Sequence, residues 1–518
     1  MNGFLTWIER TGNKLPDPVF IFLYLTIVLI VVSAIVHMLG LSAAHPTKLD
    51  EAGQPVLIYA ASLLSADNIQ RLWVEMPKTF THFHPLGYVL VVMLGAGVAE
   101  RCGLFAAAMS AAVRSAPRSL LTPVVALVAM VGNHAADAGY VVLIPLAGVL
   151  FASAGRHPLA GIAAAFAGVS GGYSANLLLG PFDAVLAGIS TEAVRLVEPG
   201  GEVNIAANYW FMVASVFLVS ALATLVTARW VEPRLVSITV DRDDEAAAKV
   251  HPQEQVFTEE SKDHPEEINQ SRGLKAVAFF TLIFALICVS GLAGENAWLR
   301  QGMAIISSPF MKGIVVVISI YALLCGYIYG RFSGTWRQSY KLVEAMEASM
   351  ATMAGYLVLM FFAAQFVAYF AWSNLGIIFA IHGAELLAEL NAPAPVMLVA
   401  FILIAATINL FVGSGGAKWA LLAPVFIPML MLVGIAPETT QVAFRIGDSS
   451  TNIITPLMPY FGVVLAFAQQ YRKDIGIGTI MSMMLPYSVA FLIGWTALLV
   501  LWTGMDWPLG VINPPAAN

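Results

Sequence analysis

Charge is scarce in this chain. Its 518 residues include 26 Lys and Arg and 32 Asp and Glu, 11% in all, against about a quarter in a soluble globular domain. The net charge of −6 is spread over loops and one acidic stretch, so nothing suggests nucleic acid. Cysteine is scarcer still. Cys102, Cys288 and Cys325 lie far apart in or beside apolar segments, too dispersed for a disulfide framework or a zinc site, and they read as small buried hydrophobes. No Gly-x-x-x-x-Gly-Lys-Ser/Thr phosphate loop occurs, so the chain has no ATPase of its own. A His-Glu-x-x-His pair and a buried Ser–His dyad pattern are also missing, which argues against an intramembrane protease.

What is abundant is apolar surface: 59% of the residues are hydrophobic and the mean hydropathy is +0.79. A bilayer crossing needs about 20 such residues. Crossings are expected near 17–40, 85–103, 158–188, 207–230, 274–293, 311–330, 350–372, 438–468 and 480–503. The first follows Arg10 and Lys14 and reads as a retained span. Two further runs, 119–154 and 395–434, carry a Gly-rich break between short arms and read as re-entrant hairpins. Basic residues gather on one side of a nine-crossing topology (Arg10, Arg101, Arg156, Arg229, Arg331, Arg472 and their neighbours), which makes that side cytoplasmic. The expected organisation is a first half, 1–230, an acidic cytoplasmic linker, 231–273, and a second half, 274–518.

The two halves repeat one signal. The first hairpin turns at Gly132-Asn133-His134, and Gly171-Gly172-Tyr173-Ser174-Ala175-Asn176 follows, with Pro181 behind it. The second turns at Gly413-Ser414-Gly415-Gly416, and Gly447-Asp448-Ser449-Ser450-Thr451-Asn452 follows, with Pro456 behind it. In lipid, a backbone breaks only where protein or a wet cavity satisfies it. Interrupted apolar segments at matching places in two halves mark the site of a secondary transporter. The expected fold is therefore an all-α polytopic membrane protein, with nine transmembrane helices and two opposed re-entrant hairpins forming an inverted repeat, of elevator type.

Longer strings sharpen this. Met353-Ala354-Gly355, Gln365-Phe366-Val367-Ala368, Trp372-Ser373-Asn374, Gly155-Arg156-His157-Pro158, Ile189-Ser190-Thr191-Glu192-Ala193 and Phe444-Arg445-Ile446-Gly447-Asp448-Ser449-Ser450 resemble the AbgT family, the p-aminobenzoyl-glutamate transporters. The likeness runs from about Trp7 to Trp507. It implies a homodimer in the bacterial inner membrane with a bowl open to the cytoplasm. It also implies export or import of aminobenzoyl compounds, including sulfonamide-like antimetabolites. One departure is Gly180-Pro181-Phe182-Asp183, where relatives tend to have a Thr-Asp pair.

Arg445 and Asp448 are three apart in an apolar crossing, where a charge costs roughly 2.5–3.5 kcal/mol on insertion scales and usually marks a pathway. The spacing permits a mutual ion pair; equally, Arg445 can fork onto a substrate carboxylate. Asp448 through Asn452 present a carboxylate, three hydroxyls and an amide. By the resemblance, Asn409, Gly413 and Asp448 look like a sodium site, the only cofactor expected. Trp419 is either an aromatic platform for a benzoyl ring or a packing residue of the hairpin. Pro437 and Pro456 match family functional positions, with a geometric role. Asn133, Asp137, Asn176 and Asp183 form the mirror-image polar set, and His134 and His157 read as anchors. The substrate set is thus Asn176, Asp183, Trp419, Pro437, Arg445, Asp448, Asn452 and Pro456. The expected function is ion-coupled transport of p-aminobenzoyl-glutamate or related p-aminobenzoate or sulfonamide antimetabolites, as efflux. The alternative is a sodium-coupled dicarboxylate transporter.

Overall fold

The computed structural model describes residues 18–49, 54–135, 139–235, 269–303, 308–458 and 460–511. Most of the linker, together with Asp137 at the first hairpin tip, lies outside the described residues. Of the described residues, 76% are helical. Helix α1 (Pro18–Met38) leads into a two-stranded antiparallel ribbon, β1 (Ser42–Leu49) and β2 (Pro55–Tyr59), which pairs Ser42 with Tyr59. Then come α2 (Ala66–Thr81), α3 (His84–Arg101) and α4 (Leu104–Arg114). The first hairpin is α5 (Leu121–Val131) and α6 (Ile144–Ser153). The first interrupted crossing follows as α7 (Pro158–Phe166) and α8 (Pro181–Val194), and α9 (Tyr209–Val226) closes the first half.

The second half runs through α10 (Gln270–Leu292), α11 (Ile314–Ser333), α12 (Tyr340–Thr352), α13 (Ala354–Trp372) and α14 (Leu375–Glu389). Its hairpin is α15 (Ala394–Asn409) and α16 (Gly415–Leu432), its interrupted crossing α17 (Pro437–Thr451) and α18 (Phe461–Tyr471), and α19 (Ile477–Gly504) ends the order.

Among the described residues, eight helical stretches are long and apolar enough to cross a membrane. Seven of them match expected crossings. The stretches expected at 158–188 and 438–468 are not continuous helices: the first unwinds after Gly171, through Ser174-Ala175-Asn176, whereas the second stays helical through Gly447–Thr451 and loosens only from Asn452. The eighth is α16, one arm of the second hairpin. The region 41–84 holds the ribbon and the amphipathic α2, whose Trp73 and Val74 are exposed.

Burial sorts these helices. Only 17% of the apolar window of α1 and 6% of that of α10 is buried within the chain, so their apolar surfaces suit lipid or a second subunit. Helix α17 is the opposite case: polar in composition, yet buried from Thr440 through Thr451. Such a helix persists only if its polar groups find partners inside the protein. It packs against α15, α16 and α19. Gly447 makes the α15 contact close, since a Cβ there would lie 2.5 Å from the Ile402 carbonyl oxygen. The two interruptions also meet: the turn at Ala167–Gly171 packs against Asn452–Ile454, with α19 across both.

Candidate functional site

The site is built where the interruptions meet. In the first crossing the helix loosens into a π-turn at Ala167–Gly171, and 172–180 is irregular. Pro181 restarts it as the first residue of α8, a position where its missing N–H costs nothing. Asp183 then caps that helix, its Oδ2 accepting from the Gly180 N–H at 2.8 Å. A carboxylate in the first turn is also favoured by the helix dipole. Its other oxygen, Oδ1, accepts from Arg445 Nη2 at 2.6 Å, and both side chains are buried. Arg445 therefore pairs across the two halves rather than with Asp448. Its Nε and Nη1 are buried with no hydrogen-bond partner among the described residues, and its guanidinium stands 5.8 Å from the Phe182 ring centroid.

Asp448 has a different cation. Lys418 Nζ, on the first turn of α16, lies 2.6 Å from Asp448 Oδ1, and both side chains are almost fully buried. The same ammonium donates to Asn409 Oδ1. The Asn409 Nδ2 group faces the Asp448 carbonyl at 2.6 Å, Thr451 Oγ1 at 2.8 Å and Asn452 Oδ1 at 2.9 Å. Gly413 sits in the tip against the segment after α17, where a Cβ would fall 2.6 Å from the Leu457 carbonyl oxygen. Of the three residues expected to hold sodium, Asn409 and Asp448 meet, but the Asp448 carboxylate and the Asn409 amide oxygen already face an ammonium. A sodium ion does not fit beside it.

Beside Asp183 lies a cavity of about 170 Å³, lined by Glu100, Asn133, Tyr173, Asn176, Phe182 and Asp183 among others. Asn176 donates to the Tyr173 carbonyl at 3.2 Å, which leaves its Oδ1 without a partner. Tyr173 and Phe182 hold their rings 4.8 Å apart, tilted by 58°. Trp419 does not line this cavity; it is fully buried, stacked on Phe444 at 4.6 Å. Pro437 begins α17, at the end remote from the break, and the half-buried Pro456 lies in the turn after it.

A second polar array joins the halves. Trp419 Nε1 donates to Ser190 Oγ at 3.0 Å, Ser190 to Gln441 Oε1 at 2.6 Å, Gln441 to Asn208 Oδ1 at 2.7 Å, and Asn208 to the Glu438 carbonyl at 3.0 Å. Sequence reasoning missed this array, and it missed Lys418. The signal for the lysine was available, since a basic residue beside the tip of an apolar hairpin obeys the same rule that singled out Arg445 and Asp448.

The sequence profile of the AbgT putative transporter family matches residues 3–516. The chain belongs to the AbgT family. A p-aminobenzoyl-glutamate transport protein of Escherichia coli (strain K12) is 35% identical over 506 residues, covering 97% of this chain and 95% of that protein. Among solved structures, the YdaH transporter of Alcanivorax borkumensis superposes with a TM-score of 0.87 at 46% identity, covering 96% of this chain and 100% of that one. MtrF of Neisseria gonorrhoeae, described as illuminating a class of antimetabolite efflux pumps, gives 0.86 at 44% identity, with 96% and 97% covered. This AbgT-family chain is a multi-pass inner-membrane transporter and not an enzyme.

Proposed function

We propose that this transporter carries p-aminobenzoyl-glutamate, or a related p-aminobenzoate or sulfonamide antimetabolite, out of the cell, driven by an ion gradient. The observation that carries the reading is the buried Arg445 guanidinium, which spends one nitrogen on Asp183 and holds two without partners. Such a cation is suited to a carboxylate, which Nε or Nη1 can meet with a charge-assisted N–H donor. The unpartnered Asn176 Oδ1 adds an acceptor for an amide or amine. Tyr173 and Phe182 supply aromatic walls beside it, which favours an aryl solute over a simple dicarboxylate. Asp448 and Asn452 belong instead to the cluster around Asn409 and Lys418, Trp419 ties α16 to α8, Pro437 starts α17, and Pro456 lies in the turn after it.

The reading extends to the motion. The arms α5 and α6 have 11 and 10 residues, or about 15–16 Å of helix, roughly half the ~30 Å hydrocarbon core. That length supports a re-entrant first hairpin. The two halves, 1–230 and 274–518, then act as inverted units in each subunit of a homodimer, moving solute by an elevator-type excursion. The cavity of about 170 Å³ is smaller than the ~300–1,000 Å³ typical of small-molecule pockets, so the solute enters only after the site opens. Proteoliposomes with imposed ion gradients test this: labelled p-aminobenzoyl-glutamate should move in a saturable, gradient-dependent way. Transport of succinate or citrate, with aminobenzoyl compounds ignored, would install the dicarboxylate alternative.

A further inference from the structure

We infer that Lys418 is a built-in cation standing where a coupling sodium ion is expected, so that this transporter works without sodium at the Asp448 position. The inference rests on the chain's being an ion-driven transporter, but not on which solute it carries.

Three observations converge. First, Lys418 Nζ takes the strongest anion of the cluster, Asp448 Oδ1, at 2.6 Å, and also the side-chain oxygen of Asn409. The Asn409 Nδ2 group is turned toward the Asp448 carbonyl, Thr451 and Asn452, so the amide is oriented with its oxygen toward the ammonium. Second, the charges balance as they stand. One buried carboxylate meets one buried ammonium, and Asp183 is already matched by Arg445. A sodium ion among the same oxygens would add a second positive charge beside the first, with no further carboxylate there among the described residues to offset it, in a site where repulsion is poorly screened.

Third, the helix ends make the two charges depend on each other. Asp448 is in the last turn of α17, where the dipole disfavours an anion, and Lys418 is in the first turn of α16, where it disfavours a cation. Each side chain sits at the wrong end of its own helix and is stabilised by the other. A pairing of this kind is a dedicated contact, since neither charge would be placed there alone. The lysine also rides on the hairpin, so the cation is part of the tip.

The test uses purified full-length protein and radioactive sodium. Wild type should show no saturable sodium binding, and flux in proteoliposomes should be unchanged when sodium is replaced by choline. Lys418→Ala uncovers the oxygen cluster and should gain saturable sodium binding, which Asp448→Asn added to it should abolish. Saturable binding to wild type that Asp448→Asn removes would overturn the inference. So would a folded Lys418→Ala protein that binds no sodium, because the position would then not be a cation site. If Lys418→Ala does not fold, the wild-type binding measurement decides alone. Sodium binding is read without solute, so an error in the proposed solute leaves this result intact.

Discussion

The two hairpin-plus-broken-helix units share an order of elements but place their charges in opposite ways. In the first unit the carboxylate comes after the break, at the start of α8, where capping and the helix dipole both favour it. Its cation, Arg445, is borrowed from the other half. In the second unit the carboxylate comes before the break, at the end of α17, where the dipole opposes it, and its cation comes from its own hairpin. Asp183 is therefore at ease locally and tied to a distant partner, whereas Asp448 is strained locally and held by a near one. One repeat yields a bond between halves, and the other a bond that shuts a tip.

That contrast can be broken most severely at the second pair. Lys418→Met leaves a buried carboxylate at an unfavourable helix end and should cost about 3–5 kcal/mol of stability, read as a lowered thermal midpoint in detergent. Lys418→Met with Asp448→Asn should recover much of the loss, because both charges go together. Asp183 sharpens the comparison. Asp183→Asn weakens the ion pair but keeps a side chain able to cap α8, so it should harm stability less than Lys418→Met. Next in size is solute affinity: Arg445→Ala removes a charge-assisted bond worth about 1.5–3 kcal/mol, so binding of labelled p-aminobenzoyl-glutamate should weaken roughly ten- to a hundredfold.

Packing at the breaks gives smaller effects. Gly447→Ala pushes a methyl group into the Ile402 carbonyl and should destabilise by about 1–3 kcal/mol. The matching change at Gly462 in α18 meets nothing within 4 Å; it should be neutral or stabilise by roughly 0.5–1 kcal/mol. Equal effects at the two glycines would mean that α15 and α17 are not held at the close approach seen here.

The breaks themselves were legible. Gly171-Gly172 and Gly413-Ser414-Gly415-Gly416 inside apolar runs cannot continue a lipid-exposed helix, and the fold interrupts at both. Family membership was also legible, because long strings such as Phe444 to Ser450 are specific. Partner choice was not. Arg445 and Asp448, three apart, face the same way on a helix, yet each pairs elsewhere, with Asp183 and Lys418. Spacing along one helix says which residues share a face, not which charge a second helix will bring to it. The ribbon and α2 were hidden for a simpler reason: 42–59 and 66–81 hold no apolar run long enough to cross a membrane, the signal that places the crossings.

The chain of contacts from Trp419 through Ser190, Gln441 and Asn208 to Glu438 joins α16, α8 and α17 to the residue that precedes α9. A shear plane drawn between any two of these helices would have to cut buried bonds that lack water to replace them. On the elevator-type motion proposed above, α16, α8 and α17 should therefore travel together as a single rigid cargo. The slip surface belongs elsewhere, along contacts that few polar bonds stitch together. In mechanical terms, Trp419 is a rivet, and a crosslink between α16 and α8 should leave transport running.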